Sequence, residues 1–236
     1  EDMRDALEGR EYVESYVQSL THELKSPVSA ILGASEILQG GNVPPAKQAR
    51  FLDNIRAEAG RLRDLLERLL HLAALEKQKS LLKNETVPLR ELILRVWDNH
   101  ALLAQARQLK FESEISDGLV ARGDPWLLEL ALSNLIQNAI DFSPTGGLIR
   151  LRAYAMAGRN VIEVEDQGPG IPDYACERIF ERFYSLPRPD TGKKSTGLGL
   201  CFVKEAATLH GGSVELLPGN EGRGIKAMLV LPRQTA

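Results

Sequence analysis

Only two cysteines, Cys176 and Cys201, occur in 236 residues. That is too few for a disulfide framework, and such sparing use fits a reducing cytoplasm. No uninterrupted apolar run approaches the ~18 to 20 residues that cross a bilayer. Neither sign of charge dominates, with 29 Lys+Arg against 32 Asp+Glu, so net charge points to no nucleic-acid partner or other polyanion. Internal repeats and low-complexity tracts are missing. No signal peptide is expected at the start of the chain: the charged stretch from Glu1 to Arg10 reads as the middle of a helix, and the chain is expected to be a soluble fragment of a longer protein. The length allows one large or two modest domains.

What is present begins with Ser19-Leu20-Thr21-His22-Glu23-Leu24-Lys25-Ser26-Pro27. Apolar residues at Val13, Val17, Leu20, Leu24, Val28, Ile31 and Leu38 recur at helical spacing, and His22 lies off that stripe. Helical geometry sets Ser26 one turn from His22 on the same face and Glu23 about 100° around the axis. A solvent-facing imidazole beside a carboxylate can lose its proton while attacking an electrophile. The plainer alternative is a solvated histidine on a charged face.

The first helix, about residues 1 to 39, is expected to bend at Pro27 and to stop at the breakers Gly40-Gly41-Asn42-Val43-Pro44-Pro45. A second helix carries Phe51, Ile55, Ala59, Leu62, Leu66 and Leu69 at steps of four and three. Two such stripes cannot exclude water alone, so pairing of two hairpins into a four-helix bundle, hence a homodimer, is expected. A coiled-coil interaction module would show the same stripes. The organisation expected is a helical hairpin over 1–80, a linker over 81–86 and a second domain over 87–236. In that domain strands are expected near 87–89, 111–115, 148–154, 161–166, 214–217 and 225–231, and helices near 90–107, 126–142 and 198–211. Mixed elements in this order predict an α/β sandwich with helices on one face of a sheet.

Four clusters there suggest one pocket. Asn134 and Asn138 share a face of an otherwise apolar helix, and two buried amides are costly unless bonded to something. Asp166-Gln167-Gly168-Pro169-Gly170 closes a strand, where a carboxylate can accept from an exocyclic amine and Gly168 and Gly170 let backbone approach a planar ring. Ile179-Phe180-Glu181-Arg182-Phe183-Tyr184 precedes a polar stretch, 185–196, that reads as a mobile lid, in which Arg182, Arg188, Lys193 or Lys194 could neutralise phosphate charge. Thr196-Gly197-Leu198-Gly199-Leu200 opens a helix, and its free N–H groups and positive dipole end favour phosphates.

Thr21 to Pro27 resembles the phosphoacceptor box of bacterial two-component sensor histidine kinases, and the four clusters match that family in order over essentially the whole chain. Asn138-Ala139-Ile140-Asp141-Phe142-Ser143-Pro144 and Phe180 to Arg188 are similar to its CreC-type branch. The resemblance implies a dimerisation and histidine-phosphotransfer hairpin followed by a Bergerat-fold ATP-binding domain. It implies ATP and Mg²⁺ as cofactors, His22 as phosphoacceptor, Asn138 as Mg²⁺ ligand, Asn134 beside the phosphates and Asp166 on the adenine amine. A response regulator receiver domain would be the partner, and the membrane would be met only through a preceding part of an inner-membrane parent protein.

Several positions depart from the family pattern. Ser26 stands where Thr or Asn is frequent; it keeps the hydroxyl that the resemblance associates with positioning water for dephosphorylation of the regulator. Asp141 replaces a basic residue common near the phosphates, Ser185 an arginine, Ser195 a lid glycine and Ile225 a threonine. Two rivals to an autokinase stay open: a Bergerat-fold ATPase, which has no need of His22, and a non-catalytic nucleotide-binding dimeric scaffold. His71, His100 and His210 lack the flanks of His22 and read as structural.

Overall fold

The computed structural model describes residues 2–41, 43–77, 81, 83–192 and 194–233; the side chains of 2–19, 22, 64, 68, 71, 74–77 and 221 lie outside that description. The chain divides into two compact units, Glu1–Ala73 and Ala74–Ala236.

The first unit is a helical hairpin. Helix α1, Asp2–Gln39, runs through Pro27, and α2 spans Pro45–Lys77. Between them Gly41 adopts φ 73°, a left-handed turn open to a residue without Cβ. Among the described side chains of the hairpin the buried ones are Pro27, Ala34, Leu65 and Leu72, two pairs each spaced by seven. The expected stripes flank this seam: Leu20, Leu24, Ile31, Phe51, Ile55, Leu62 and Leu69 are half-buried, while Val28, Ala59 and Leu66 are exposed. Packing two helices buries only the strip facing the partner helix, so the rest of each apolar face stays outside.

The second unit is the expected α/β sandwich. Its strands are β1 Glu85–Pro88, β2 Lys110–Ile115, β3 Val120–Gly123, β4 Leu148–Met156, β5 Arg159–Glu165, β6 Ser213–Pro218 and β7 Ile225–Pro232; its helices are α3 Leu89–Ala106, α4 Pro125–Phe142 and α5 Gly199–Leu209. A five-stranded sheet runs β2-β4-β5-β7-β6, parallel only between β2 and β4, and β1 pairs with β3 in a separate ribbon. The sequence reading misses β3 and assigns Glu85 and Thr86 to the linker; both belong to β1, opposite Gly123 and Arg122.

Alternation builds the core. Ile149, Leu151 and Ala153 on β4 face Ile162 and Val164 on β5, which in turn face Leu229 and Ala227 on β7. The buried faces of α3, α4 and α5 cover this side, with α4 packed against both neighbours. The opposite face carries a charged ladder in which Glu163 and Glu165, each 7% exposed at the side chain, take Arg152 and Arg150. Glu165 also accepts from the backbone and side-chain nitrogens of Asn220 at 2.7 and 2.9 Å. That ties β5 to the turn preceding β7.

Candidate active site

In the second unit a cleft of about 840 Å³, part of it open to solvent, lies between α4, the end of β5, the segment 184–197 and the start of α5. Its lining is mainly apolar, with Asn138, Asp166, Tyr184, Ser185 and Ser195 bringing polar groups. A mostly apolar cleft with a few polar anchors is the kind of site that takes a heteroaromatic ring.

Helix α4 owes its position to Asp124, whose carboxylate accepts from the N–H groups of Trp126 and Leu127, with Pro125 at the first helical position. Along it Asn134 and Asn138 have different fates. Asn134 donates to the carbonyl of Leu130 at 2.8 Å, and its Oδ1 lies where a Cβ on Gly199 would come within 2.9 Å. It therefore packs α4 against the opening turn of α5. Asn138 lines the cleft and has no side-chain hydrogen bond among the described residues.

Asp166 directly follows the last residue of β5 and is 8% exposed. Its Oδ1 accepts from the N–H of Gly168 at 2.7 Å and of Ile225 at 3.3 Å, leaving Oδ2 for a donor in the cleft. Burial pushes the carboxyl up to about 6, against the lowering effect of those two N–H donors. The loop is held from behind: Gly224 donates to the carbonyl of Gly168 at 2.8 Å, and its α-carbon, at φ 70°, packs on the backbone of Asp166 with no room for a Cβ. Gly170 lines the cleft at φ 82°. Gly168 does not line it; a side chain there would meet the carbonyl of Phe142.

Gly197 and Gly199 line the cleft where α5 begins. Gly197 has φ 65° and its α-carbon lies against the backbone of Phe183, itself at φ 60°, whose N–H donates to the Gly197 carbonyl at 3.0 Å. Positive φ at a phenylalanine is strained backbone, and the pairing with Gly197 holds it. Leu198 is buried and Thr196 half-buried. Arg182 is half-buried, Lys194 is exposed, and Lys193 lies outside the described residues.

Ser185 and Ser195, which stand where the resemblance leads one to expect an arginine and a lid glycine, bond to each other. Ser185 Oγ and Ser195 Oγ are 2.8 Å apart, and the Ser195 N–H donates to Ser185 Oγ at 3.0 Å, closing the base of the 185–196 segment. Arg188 donates to Asp141 at 2.5 Å. Sequence reasoning does not reach these pairs, nor the Glu165–Asn220 brace; only the i, i+7 spacing of Asn134 and Asp141 hints that Asp141 shares their face.

On α1 the backbone from Thr21 to Ser26 is helical, Glu23 is half-buried and Ser26 exposed; the side chain of His22 lies outside the described residues. The other histidines with described side chains are structurally satisfied. His100 bonds the Val96 carbonyl at 2.9 Å and Ser133 Oγ at 3.3 Å, and His210 bonds Ala206 and Asp124. His71 is among the side chains outside the description.

Among the described residues no three His, Cys, Asp or Glu side chains converge on a metal position. A protein cage for a cation is thus not built there. An open amide such as Asn138 fits an ion that is held mainly by phosphate and water, as Mg²⁺ usually is.

Residues 13–78 match the His Kinase A (phospho-acceptor) domain, and residues 123–235 match the histidine kinase-, DNA gyrase B-, and HSP90-like ATPase family. Sensor protein CreC of Escherichia coli K12 is 46% identical over 233 residues, 99% of this chain and 48% of its own length. The chain spans about half the length of the curated relatives it matches. The solved structure of the mycobacterial sensor histidine kinase MprB is 30% identical, covers 65% of this chain and 99% of its own, and superposes with a TM-score of 0.56. Histidine kinase ThkA, solved in complex with the response regulator protein TrrA, shares the fold at a TM-score of 0.75 over 99% of this chain and 67% of its own, with 21% identity.

Proposed function

The chain belongs to the sensor histidine kinases, and on that premise we propose that it uses ATP to phosphorylate its own His22 and passes the phosphoryl group to an aspartate of a response regulator. The observation that carries this reading is the cleft itself: a buried carboxylate at one end, an open amide on α4 and a glycine-led helix start share one apolar slot.

Asp166 Oδ2 accepts from the adenine amine, which favours ATP over GTP. Gly168 and Gly170 shape the loop around the ring. Thr196, Gly197, Leu198 and Gly199 bring the N-terminal N–H groups of α5 toward the phosphates, where the helix dipole favours negative charge. Arg182, Lys193 and Lys194 are further candidates for phosphate contact. Asn138 would hold Mg²⁺, which when bound neutralises charge on the phosphates. Asn134 supports the site through its packing against Gly199.

His22 Nε2 attacks the γ-phosphorus in line, a nitrogen–phosphorus bond forms, and the bond to the bridging oxygen breaks with its electron pair leaving on ADP. Glu23 orients the imidazole or takes its proton. Phosphoryl transfer depends mostly on positioning and charge neutralisation, so the docking of the two units governs the rate. The Ser26 hydroxyl supports a reverse activity, orienting water to dephosphorylate the regulator.

Exposed Leu32, Leu52, Leu66 and Leu70 on the hairpin support a homodimer whose two hairpins close a four-helix core. The expected division into a hairpin to residue 80, a short linker and a catalytic domain is kept as a functional one, with the domain opening on β1 at Glu85 instead of at residue 87. Among the described residues no helix is long and apolar enough to cross a membrane. A cytoplasmic position below an inner-membrane sensor is proposed for the parent protein from the family alone.

The test is transfer of label from γ-labelled ATP to the purified chain, beside His22→Ala and His22→Gln. Acid-labile, alkali-stable label in the unaltered protein and none in the variants is the expected result. Label that persists in both variants, or ATP turnover with no labelled protein, would move the assignment to a Bergerat-fold ATPase. Tight ATP binding with neither label nor turnover would leave a nucleotide-binding scaffold.

A further inference from the structure

Asp141 poses an electrostatic problem for any nucleotide site on α4. It follows Asn134 by seven residues and Asn138 by three, so it lies on the same face of the helix, and Phe142 beside it lines the cleft. A carboxylate there repels phosphates unless something offsets it.

The structure supplies the offset from the segment across the mouth. Leu186 lines the cleft, and two residues on Arg188 donates through Nη2 to Asp141 Oδ2 at 2.5 Å. The pair is mostly shielded, with side-chain exposures of 32% and 14%. Gln137 donates to the other carboxylate oxygen at 3.1 Å and steadies it. A second pair crosses beside the first: Arg107 meets Asp190, and its guanidinium also donates to the carbonyls of Asp141 and Ser143 at 3.1 and 2.9 Å. Arg107 therefore divides its donors between Asp190 and the C-terminal end of α4.

Arg188 does not. A guanidinium has five N–H donors in a rigid fork. Among the described residues this one has a single hydrogen-bonded acceptor, and its Nε is buried without any. Lys194, the other described cation of the 185–196 segment, is exposed. Arg188 is thus held by one edge, two residues beyond cleft-lining Leu186 and against the neighbour of cleft-lining Phe142, with donors left over.

We infer that Arg188 is the cation that binds the terminal phosphates of the nucleotide, and that Asp141 is the residue that positions it. The sign of charge expected on α4 is moved to the opposite wall and tethered back to the helix by an ion pair. This inference rests on the nucleotide-site reading above and names the phosphate ligand within it.

The test compares ATP with adenosine, each measured by competition against a fluorescent adenine nucleotide on the full chain. Arg188→Ala should weaken ATP about ten- to a hundredfold and leave adenosine unchanged, as expected for one charge-assisted contact. Asp141→Ala should weaken ATP about two- to tenfold through loss of the preset arginine, again sparing adenosine. The double variant Asp141→Arg with Arg188→Ala returns the cation to α4 and should recover most of the ATP affinity. Equal loss of ATP and adenosine in Arg188→Ala would show that the pair merely shapes the pocket, and unchanged ATP affinity would remove Arg188 from the phosphates; either overturns the inference. ATP binding in Asp141→Ala as tight as in the unaltered chain overturns the part given to Asp141. Failure of the unaltered chain to bind ATP would instead overturn the nucleotide-site reading, and this assignment with it.

Discussion

His210 Nε2 accepts the backbone N–H of Asp124 at 3.0 Å, joining the end of α5 to the N-cap of α4. The other ring nitrogen donates to the carbonyl of Ala206 at 2.6 Å, so the ring is the neutral Nδ1–H tautomer. Gly123 packs against the imidazole with no space for a Cβ. One buried histidine thus fixes the relation between the helix that carries Asn138 and the helix that begins at Gly199.

Replacing His210 with alanine should destabilise the second unit by about 2 to 4 kcal/mol, because it opens a cavity and strands a buried N–H. Burial lowers the His210 pKa from 6.5. The unfolded chain therefore binds the proton more readily, so this contribution is present above 6.5 and is lost as pH falls below it. Urea melts between pH 5 and 8 on both proteins check this: the difference between them should shrink toward pH 5.

Asp166 has the opposite sign. Its carboxyl is raised from 3.8 to about 6, chiefly by burial, so the folded state holds the proton more tightly and stability from this group falls as pH rises between those values. Asp166→Asn should therefore be as stable as the parent at pH 7.5, or more so, while losing about a hundredfold in ATP affinity. In the unaltered chain ATP affinity should drop by about tenfold per pH unit below 6 as the carboxylate is neutralised. Calorimetric titration at pH 5 and 7.5 reads both effects, and a flat profile would remove Asp166 from adenine recognition.

Gly197→Ala should cost about 1 to 3 kcal/mol, since alanine is strained at positive φ and its Cβ would strike the Phe183 backbone. Because that loop leads into α5, nucleotide affinity should fall with it. Chemical denaturation and ATP titration on one preparation check the pair of effects; full stability would show that the loop relaxes freely.

Leu70 is 70% exposed on the hairpin. In a monomer Leu70→Glu would change stability by less than about 0.5 kcal/mol. If hairpins pair through this face, the substitution should instead shift the protein toward half its mass in light scattering and lower its melting temperature. An unchanged mass would exclude Leu70 from the interface.

Whatever depends on near neighbours in the chain was legible from residue order. Helix spacing, the Gly40–Pro45 break, the Asp124-Pro125 cap and the alternation of β4 are local patterns, and each element formed close to its expected limits. The motifs Asp166-Gln167-Gly168-Pro169-Gly170 and Thr196 to Gly199 could be named for the same reason. How these pieces answer one another was set by packing between segments far apart in the chain. β3 has four residues and no pattern of its own; it exists as a strand because β1 lies opposite. Asp141 and Arg188 are 47 residues apart, and His210 is 86 from Asp124. Such partners are chosen by packing, which brings distant side chains within hydrogen-bond reach and excludes the water that would otherwise satisfy them.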